Sequence, residues 1–249
     1  MNRIILTSDE VRGDGTVILT DFRAEHVRFV LKARVGDEVK TGVLNGLIGS
    51  SSVEGIDEQR VVLRTHHDTH APEPWFDLLL AVPRPKVLKR LLPQLAALGV
   101  GKLVLLNAYK VEKCYFSSQW LEPAHYTTLL VEGLMQVGTT CLPEVLIKER
   151  FKPFMEDDLD VLFPNALRLL AHPGDSTEQR WTLAEGQRPL LAVGPEGGWT
   201  DYELDMFLKR GFLPFSLGAR TLRTDTAAIA LIAVLEERLS NQIKGDSVC

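Results

Sequence analysis

Cysteine is scarce in this chain. Its 249 residues hold three, Cys114, Cys141 and Cys249, an odd number that shares no metal-ligand spacing. That excludes a disulfide scaffold and leaves reduced thiols in a cytoplasmic protein as the simplest reading. The chain also lacks any apolar run approaching bilayer length, and no basic-then-apolar segment opens it, so no membrane association is expected. Positive charge is not in excess either. The net charge of −5 excludes a uniformly basic nucleic-acid binder. The cluster His66-His67-Asp68-Thr69-His70 fits no common zinc pattern and has no cysteine near it, so no metal is expected there. It reads instead as a polar linker, with Pro72 and Pro74 closing a first domain.

What is present is ordered in two blocks. Residues 1–71 alternate short β-type runs with turn residues: Arg3 to Leu6, Thr16 to Leu19, Val39 to Leu44 and Val61 to Arg64, punctuated by Gly42, Gly46, Gly49 and Gly55. That is the pattern of a small β-barrel with one short helix, Ala24 to Leu31. Residues 72–249 alternate strands with helices, which predicts an α/β domain with a parallel sheet. Phe76 to Val82 reads as a buried strand. Pro85 to Leu98 carries apolar residues at helical spacing until Gly99 stops it, and Pro93 predicts a kink. Trp120 to Val137 reads as a helix. Leu103 to Leu106, Val145 to Ile147, Leu167 to Ala171, Leu190 to Val193 and Phe212 to Leu217 read as strands.

The most informative stretch is Leu190 to Leu235. One apolar run breaks into Gly194-Pro195-Glu196-Gly197-Gly198, and a second ends at Gly218 before Ala219-Arg220-Thr221-Leu222-Arg223-Thr224-Asp225-Thr226. Two glycine-tipped strand ends therefore each precede a helix. Glycine lets backbone N–H and C=O groups approach a flat ligand closely, and ligands of open α/β sheets sit outside the carboxyl ends of the strands. A nucleoside-like ligand is the expectation. A nicotinamide dinucleotide fits poorly, because the first cluster lacks Gly-x-Gly-x-x-Gly spacing. The last helix should begin with Thr224 as N-cap and Asp225 placed against its dipole. From Ala227 to Leu235 it is apolar without a break, which predicts cover on all sides and a homodimer.

The motif Gly-Pro-Glu-Gly-Gly, followed by Leu-Gly-x-Arg-x-Leu-Arg-Thr-Asp-Thr-Ala, resembles the small-subunit ribosomal RNA uridine N3-methyltransferase family (methyltransferase E) of the SPOUT class. His26-Val27-Arg28-Phe29-Val30-Leu31 with Gly36-Asp37, Leu98-Gly99-Val100, Pro143-Glu144 and His172-Pro173 extend the resemblance over the whole length. It implies S-adenosylmethionine as cofactor and 16S ribosomal RNA as substrate. It also implies a PUA-like RNA-gripping barrel over 1–71, and over 72–249 a methyltransferase domain with a C-terminal trefoil knot that works as a homodimer.

Methylating uracil N3 requires unstacking the base, removing its N3 proton and stabilising the charge that develops on the ring. A guanidinium suits the last task, so Arg223, then Arg220, are the expected contacts to the reacting region. Glu196 and Asp225 are the nearby proton acceptors. The cofactor pocket is expected at Leu170, His172, Gly194, Gly197, Gly198, Leu217, Gly218, Leu222, Thr226 and Ala227. Between Ala81 and Lys113 a local excess of +6 can meet phosphate, and the expected RNA contacts are Arg28, Arg84, Lys86 and Lys89. Several charged family positions differ here: Ala97, Tyr109-Lys110, Met135 and Thr139 stand where the family carries Glu, Glu-Arg, and Glu and Arg. A different RNA target, or an RNA-binding assembly module without turnover, therefore stands as an alternative.

Overall fold

The computed structural model describes residues 2–173 and 181–246, with side chains described up to residue 241; Cys249 lies outside the described residues. Cys114 and Cys141 are free thiols. The chain divides into two compact units, Met1–Glu73 with Thr128–Leu142, and Pro74–Thr127 with Pro143–Cys249. Among the described residues no helix is long and apolar enough to cross a membrane.

The first unit contains β1 (Ile4–Leu6), β2 (Thr16–Leu19), α1 (Phe22–Glu25), β3 (Glu38–Val43), β4 (Ile48–Ile56) and β5 (Val61–Thr69). Its sheet runs β1-β3-β4-β5-β2 and curves as a half-barrel, antiparallel except for the β1–β3 pair. Inward positions such as Leu6, Val17, Leu19, Val53, Val61 and Leu63 form its core with Ala24 and Val27. The helix expected over Ala24–Leu31 is two pieces: α1, capped by the Asp21 side chain, and a wider turn over His26–Val30. There the Leu31 N–H bonds to the His26 carbonyl at 2.9 Å.

The expected linker at His66–His70 is instead strand as far as Thr69. Residues 66 and 67 pair with Ser50 and Gly49, and His67 Nε2 lies 2.7 Å from Thr41 Oγ1, itself 2.6 Å from Ser51 Oγ. A Cβ on Gly49 would lie 2.1 Å from the His66 carbonyl, so only glycine permits this strand approach.

Residues 128–142, which the sequence places in the second domain, belong to this unit because their polar groups bond into the β3–β4 hairpin. The Leu142 N–H bonds to Asn45 Oδ1 (2.8 Å) and Thr140 Oγ1 to the Gly46 carbonyl (2.7 Å). Arg3 donates to the carbonyls of Gly138, Thr41 and Gly49.

The second unit is built on a six-stranded, wholly parallel sheet in the order β11-β9-β10-β6-β7-β8. Its strands are β6 (Phe76–Ala81), β7 (Val100–Leu106), β8 (Glu144–Lys148), β9 (Ala166–Ala171), β10 (Arg188–Val193) and β11 (Leu213–Phe215). β6 is buried along its whole length, as a central parallel strand covered on both faces must be. Asp77 is the polar residue of β6. Burial pushes its carboxyl above the usual range, opposed by the Lys102 N–H and Arg188.

Between the strands run α2 (Pro85–Ala97), α3 (Pro123–Val137), α4 (Phe151–Pro153), α5 (Leu159–Leu162) and α6 (Asp201–Lys209), and α7 (Thr224–Asp246) follows the last strand. Pro85 starts α2, where a fixed φ and missing N–H cost nothing, and the helix continues through Pro93. α3 starts at Pro123 rather than Trp120, because Ser118 Oγ caps a separate tight turn over Gln119–Leu121. α6 opens with a reciprocal capping box between Thr200 and Glu203.

One expectation fails at the C-terminal end. Thr224 lies inside α7 rather than capping it: the Ala227 N–H already bonds to the Arg223 carbonyl, and Thr224 Oγ1 faces the Gly194 carbonyl at 3.2 Å. Within one chain α7 is covered on one side, which leaves the rest of the cover to the expected partner subunit. Ala228, Leu231, Ile232, Leu235 and Leu239 are buried, whereas Ala233 is exposed and Ile229, Ala230 and Val234 are only half-buried.

Candidate functional site at the carboxyl edge of the parallel sheet

A cleft opens where β9, β10 and β11 end. The two glycine-tipped strands are not neighbours, because β9 lies between them and its end, Ala171-His172-Pro173, forms part of the wall. The other walls are Val193–Glu196 with Gly198 and Trp199, Phe215–Gly218, Arg220–Leu222, and Thr224, Ala227 and Leu231 of α7. The Ser216 hydroxyl and the backbone of Gly218 bond to each other at 3.0 and 3.2 Å, folding the second loop around Gly218 at φ +108°. Left-handed backbone of this kind favours glycine.

Of the expected cofactor residues, His172, Gly194, Gly198, Leu217, Gly218, Leu222 and Ala227 line the cleft. Leu170, Gly197 and Thr226 do not. Leu170 is buried inside β9. Gly197 gives its carbonyl to Lys110 Nζ at 2.7 Å. Thr226 is exposed on the first turn of α7.

Of the expected catalytic residues, Arg220 and Glu196 line the cleft, whereas Arg223 is exposed and outside it. The two candidate proton acceptors are also separated. Asp225 lies outside the cleft, paired with Arg90; burial opposes its ionisation, but the Arg90 hydrogen bond and the Thr226 N–H hold its carboxyl below the usual range. That leaves Glu196 as the carboxylate in the cleft.

The residue that sequence reasoning missed is Trp199. Its ring is buried at 6% exposure, and its Nε1–H has no hydrogen-bond partner among the described residues. A Cβ on Gly194 would meet this indole at 3.0 Å, so glycine lets the ring lie against the loop. A buried N–H without a partner costs roughly 1–3 kcal/mol, and this ring forms part of the cleft wall. A tryptophan after a glycine pair carries no signal of this role in the sequence; it is visible only once the fold closes.

The basic excess between Ala81 and Lys113 is dispersed. Arg90 is bound to Asp225, and Lys102 lies near Glu144 and the Phe163 ring. Lys110 is bound to Gly197. Arg84, Lys86 and Lys89 remain exposed at the start of α2, Lys89 with its Nζ 4.6 Å from the Trp120 ring centre. In the other unit, Arg28 donates to the Asp57 carbonyl and lies 5.5 Å from the Phe29 ring.

Known proteins share this arrangement. Residues 71–236 match the model of the RNA methyltransferase domain family. Ribosomal RNA small subunit methyltransferase E of Treponema pallidum is 30% identical over 252 residues, covering 94% of this chain and 90% of the relative. Methyltransferase E 1 of Borreliella burgdorferi is 26% identical, covering 97% and 100%. Among solved structures, a ribosomal RNA small subunit methyltransferase E from Neisseria gonorrhoeae, crystallised bound to S-adenosyl methionine, superposes with a TM-score of 0.74 at 21% identity over 95% of this chain and 97% of the other. The glycine loops, the parallel sheet that carries them and the match over two thirds of the residues agree: the chain belongs to the RNA methyltransferase domain family, with the ribosomal RNA small subunit methyltransferase E proteins as its relatives.

Proposed function

We propose that the chain is an S-adenosylmethionine-dependent methyltransferase acting on uridine N3 of small-subunit (16S) ribosomal RNA. The observation that carries this is the cleft itself: glycine loops and a strand end meeting at the carboxyl edge of the parallel sheet. When bound, S-adenosylmethionine supplies a methyl group on a sulfonium, already a strong electrophile. The protein's part is then to hold, orient and stabilise. Backbone at Gly194, Gly198 and Leu217–Gly218 would hold the cofactor, with the Trp199 ring, Leu222 and Ala227 closing the pocket. Arg220 stabilises the negative charge that develops on the uracil ring, with Arg223 beside it in the sequence. Glu196 accepts the N3 proton, directly or through water.

The remaining parts of the reading rest on the family. Residues 1–71 act as a PUA-like RNA-gripping barrel and contribute Arg28. Residues 72–249 form a SPOUT domain with a C-terminal trefoil knot, and Arg84, Lys86 and Lys89 meet phosphate. The half-covered apolar side of α7 supports a homodimer, and ribosomal RNA as substrate supports a cytoplasmic location.

The test is a map of methylated nucleotides in total RNA from a strain lacking the gene. One methyl group should vanish from 16S ribosomal RNA and return with the wild-type gene but not with Arg220→Ala. An unchanged map overturns the proposal, and a methyl lost from another RNA replaces its substrate.

A further inference from the structure

Beside the cleft, at the ends of β7 and β8, the second unit carries another groove of about 1280 Å³, lined among others by Tyr109, Lys113, Arg150, Phe151, Lys152 and Tyr202. Its most unusual occupant is Tyr109, whose side chain is 85% exposed on a loop fastened at every step. The Asn107 N–H bonds to the Lys148 carbonyl at 2.8 Å, and Asn107 Nδ2 to the Glu149 carbonyl at 2.9 Å. The Tyr109 N–H donates to Glu203 Oε1 at 2.8 Å, and Lys110 Nζ holds the Gly197 carbonyl. Glu203 is 2% exposed and also serves Thr200. A buried carboxylate thus positions the backbone of an aromatic residue whose ring packs against almost nothing. Tyr202 is a second exposed ring, at 55%.

Packed side chains connect the groove to the cleft. Its Phe151 ring lies 6.1 Å from the Trp199 ring, and Lys110 reaches from the Tyr109 loop to the glycine loop. Its rim carries the exposed cations Lys113 and Arg150. Lys152 also lies on it, in an exposed pair with Glu156 at 3.7 Å that contributes little. Exposed rings on a fixed frame, with cations beside them, match single-stranded nucleic acid: every base has a face to stack, and every phosphate a charge to neutralise.

We propose that this groove binds the single-stranded RNA flanking the target nucleotide, with a neighbouring base stacked on Tyr109 and its backbone held by Lys113, Arg150 and Lys152. The proposal rests on the methyltransferase reading and adds to it the place where the substrate strand runs.

The test uses the full chain and a fluorescently labelled single-stranded oligouridylate, read by anisotropy, with S-adenosylmethionine affinity measured separately by calorimetry. Base–aromatic stacking is worth about 1–3 kcal/mol, so Tyr109→Ala should weaken RNA binding roughly 5- to 150-fold and leave cofactor affinity unchanged. Tyr109→Trp should restore it. The double variant Arg150→Gln, Lys152→Gln should lower the slope of log K against log salt by about 1.4, two contacts at about 0.7 each; Tyr109→Ala should leave the slope as it was. RNA affinity indifferent to Tyr109→Ala, failure of Trp to restore it, or a change only in self-association overturns the groove. The two readings fail separately. RNA binding through Tyr109 without any ribosomal methylation sinks the reaction, and methylation indifferent to Tyr109 sinks the groove alone.

Discussion

Two places in the molecule, the middle of the small sheet and the carboxyl edge of the parallel one, treat their polar groups in opposite ways. In the middle of the small sheet, Thr41, Ser51 and His67 bond to one another, and Arg3 spends its N–H groups on three carbonyls. These contacts close on themselves and fix architecture. At the carboxyl edge of the parallel sheet, Trp199 Nε1 has no partner among the described residues, and neither Arg220 nor Arg223 has a carboxylate within ion-pair distance among them. Polar groups that satisfy each other hold a fold together, and those left open where strands end mark where a ligand completes the structure.

The sharpest way to break this contrast is to remove the open cation. Arg220→Ala should lower kcat by about 10²–10³-fold, the usual cost of one charge-stabilising donor, while Arg223→Ala should cost about tenfold or less. Steady-state kinetics on the ribosomal substrate decide it, and the reverse order would mean that lining the cleft is the wrong criterion.

A smaller effect sharpens the contrast from the satisfied side. Glu203→Ala should lower stability by about 2–3 kcal/mol in urea titration, since it strands the Tyr109 and Thr200 N–H groups; a neutral result would mean that the network is decorative. The smallest effect comes from His67. Burial, with Arg3 and His66 adding and Asp68 opposing, holds its imidazole below the ordinary value of 6.5. On acidification the unfolded chain takes up this proton first. Stability is therefore fully present above about pH 6.5 and falls as pH drops toward the folded value. Urea midpoints measured from neutral pH down to about pH 5 should decline less in His67→Gln than in wild type, and equal slopes would remove His67 from the account.

Much of this molecule was legible in the chain. The runs Leu190–Val193 and Phe76–Ala81 announce buried parallel strands because continuous apolar residues tolerate no wet face, and the paired glycines announce where they end. What periodicity cannot carry is spatial order. It gave no sign that β9 lies between the two glycine-tipped strands, nor that residues 128–142 leave one unit for the other through bonds to Asn45 and Gly46. His66–Thr69 looked like linker because its composition is polar, yet its partner strand offers hydroxyls and a glycine to receive it. The apolar Ala227–Leu235 run reads correctly as a helix, and one chain covers only one side of it. For the site, glycine spacing marks the loops that line the cleft, whereas the positions of Arg223 and Asp225 outside it, Asp225 in a pair with Arg90, are set by contacts distant in sequence.

The hydroxyl of Thr224, turned toward the Gly194 carbonyl instead of capping its own helix, joins two segments thirty positions apart. Whatever steadies the glycine loop is felt at the first coil of the terminal helix, so the two should lose amide protons to solvent as one cooperative element. Ligand occupancy would then slow hydrogen exchange at both together, and a probe at either would report on the other.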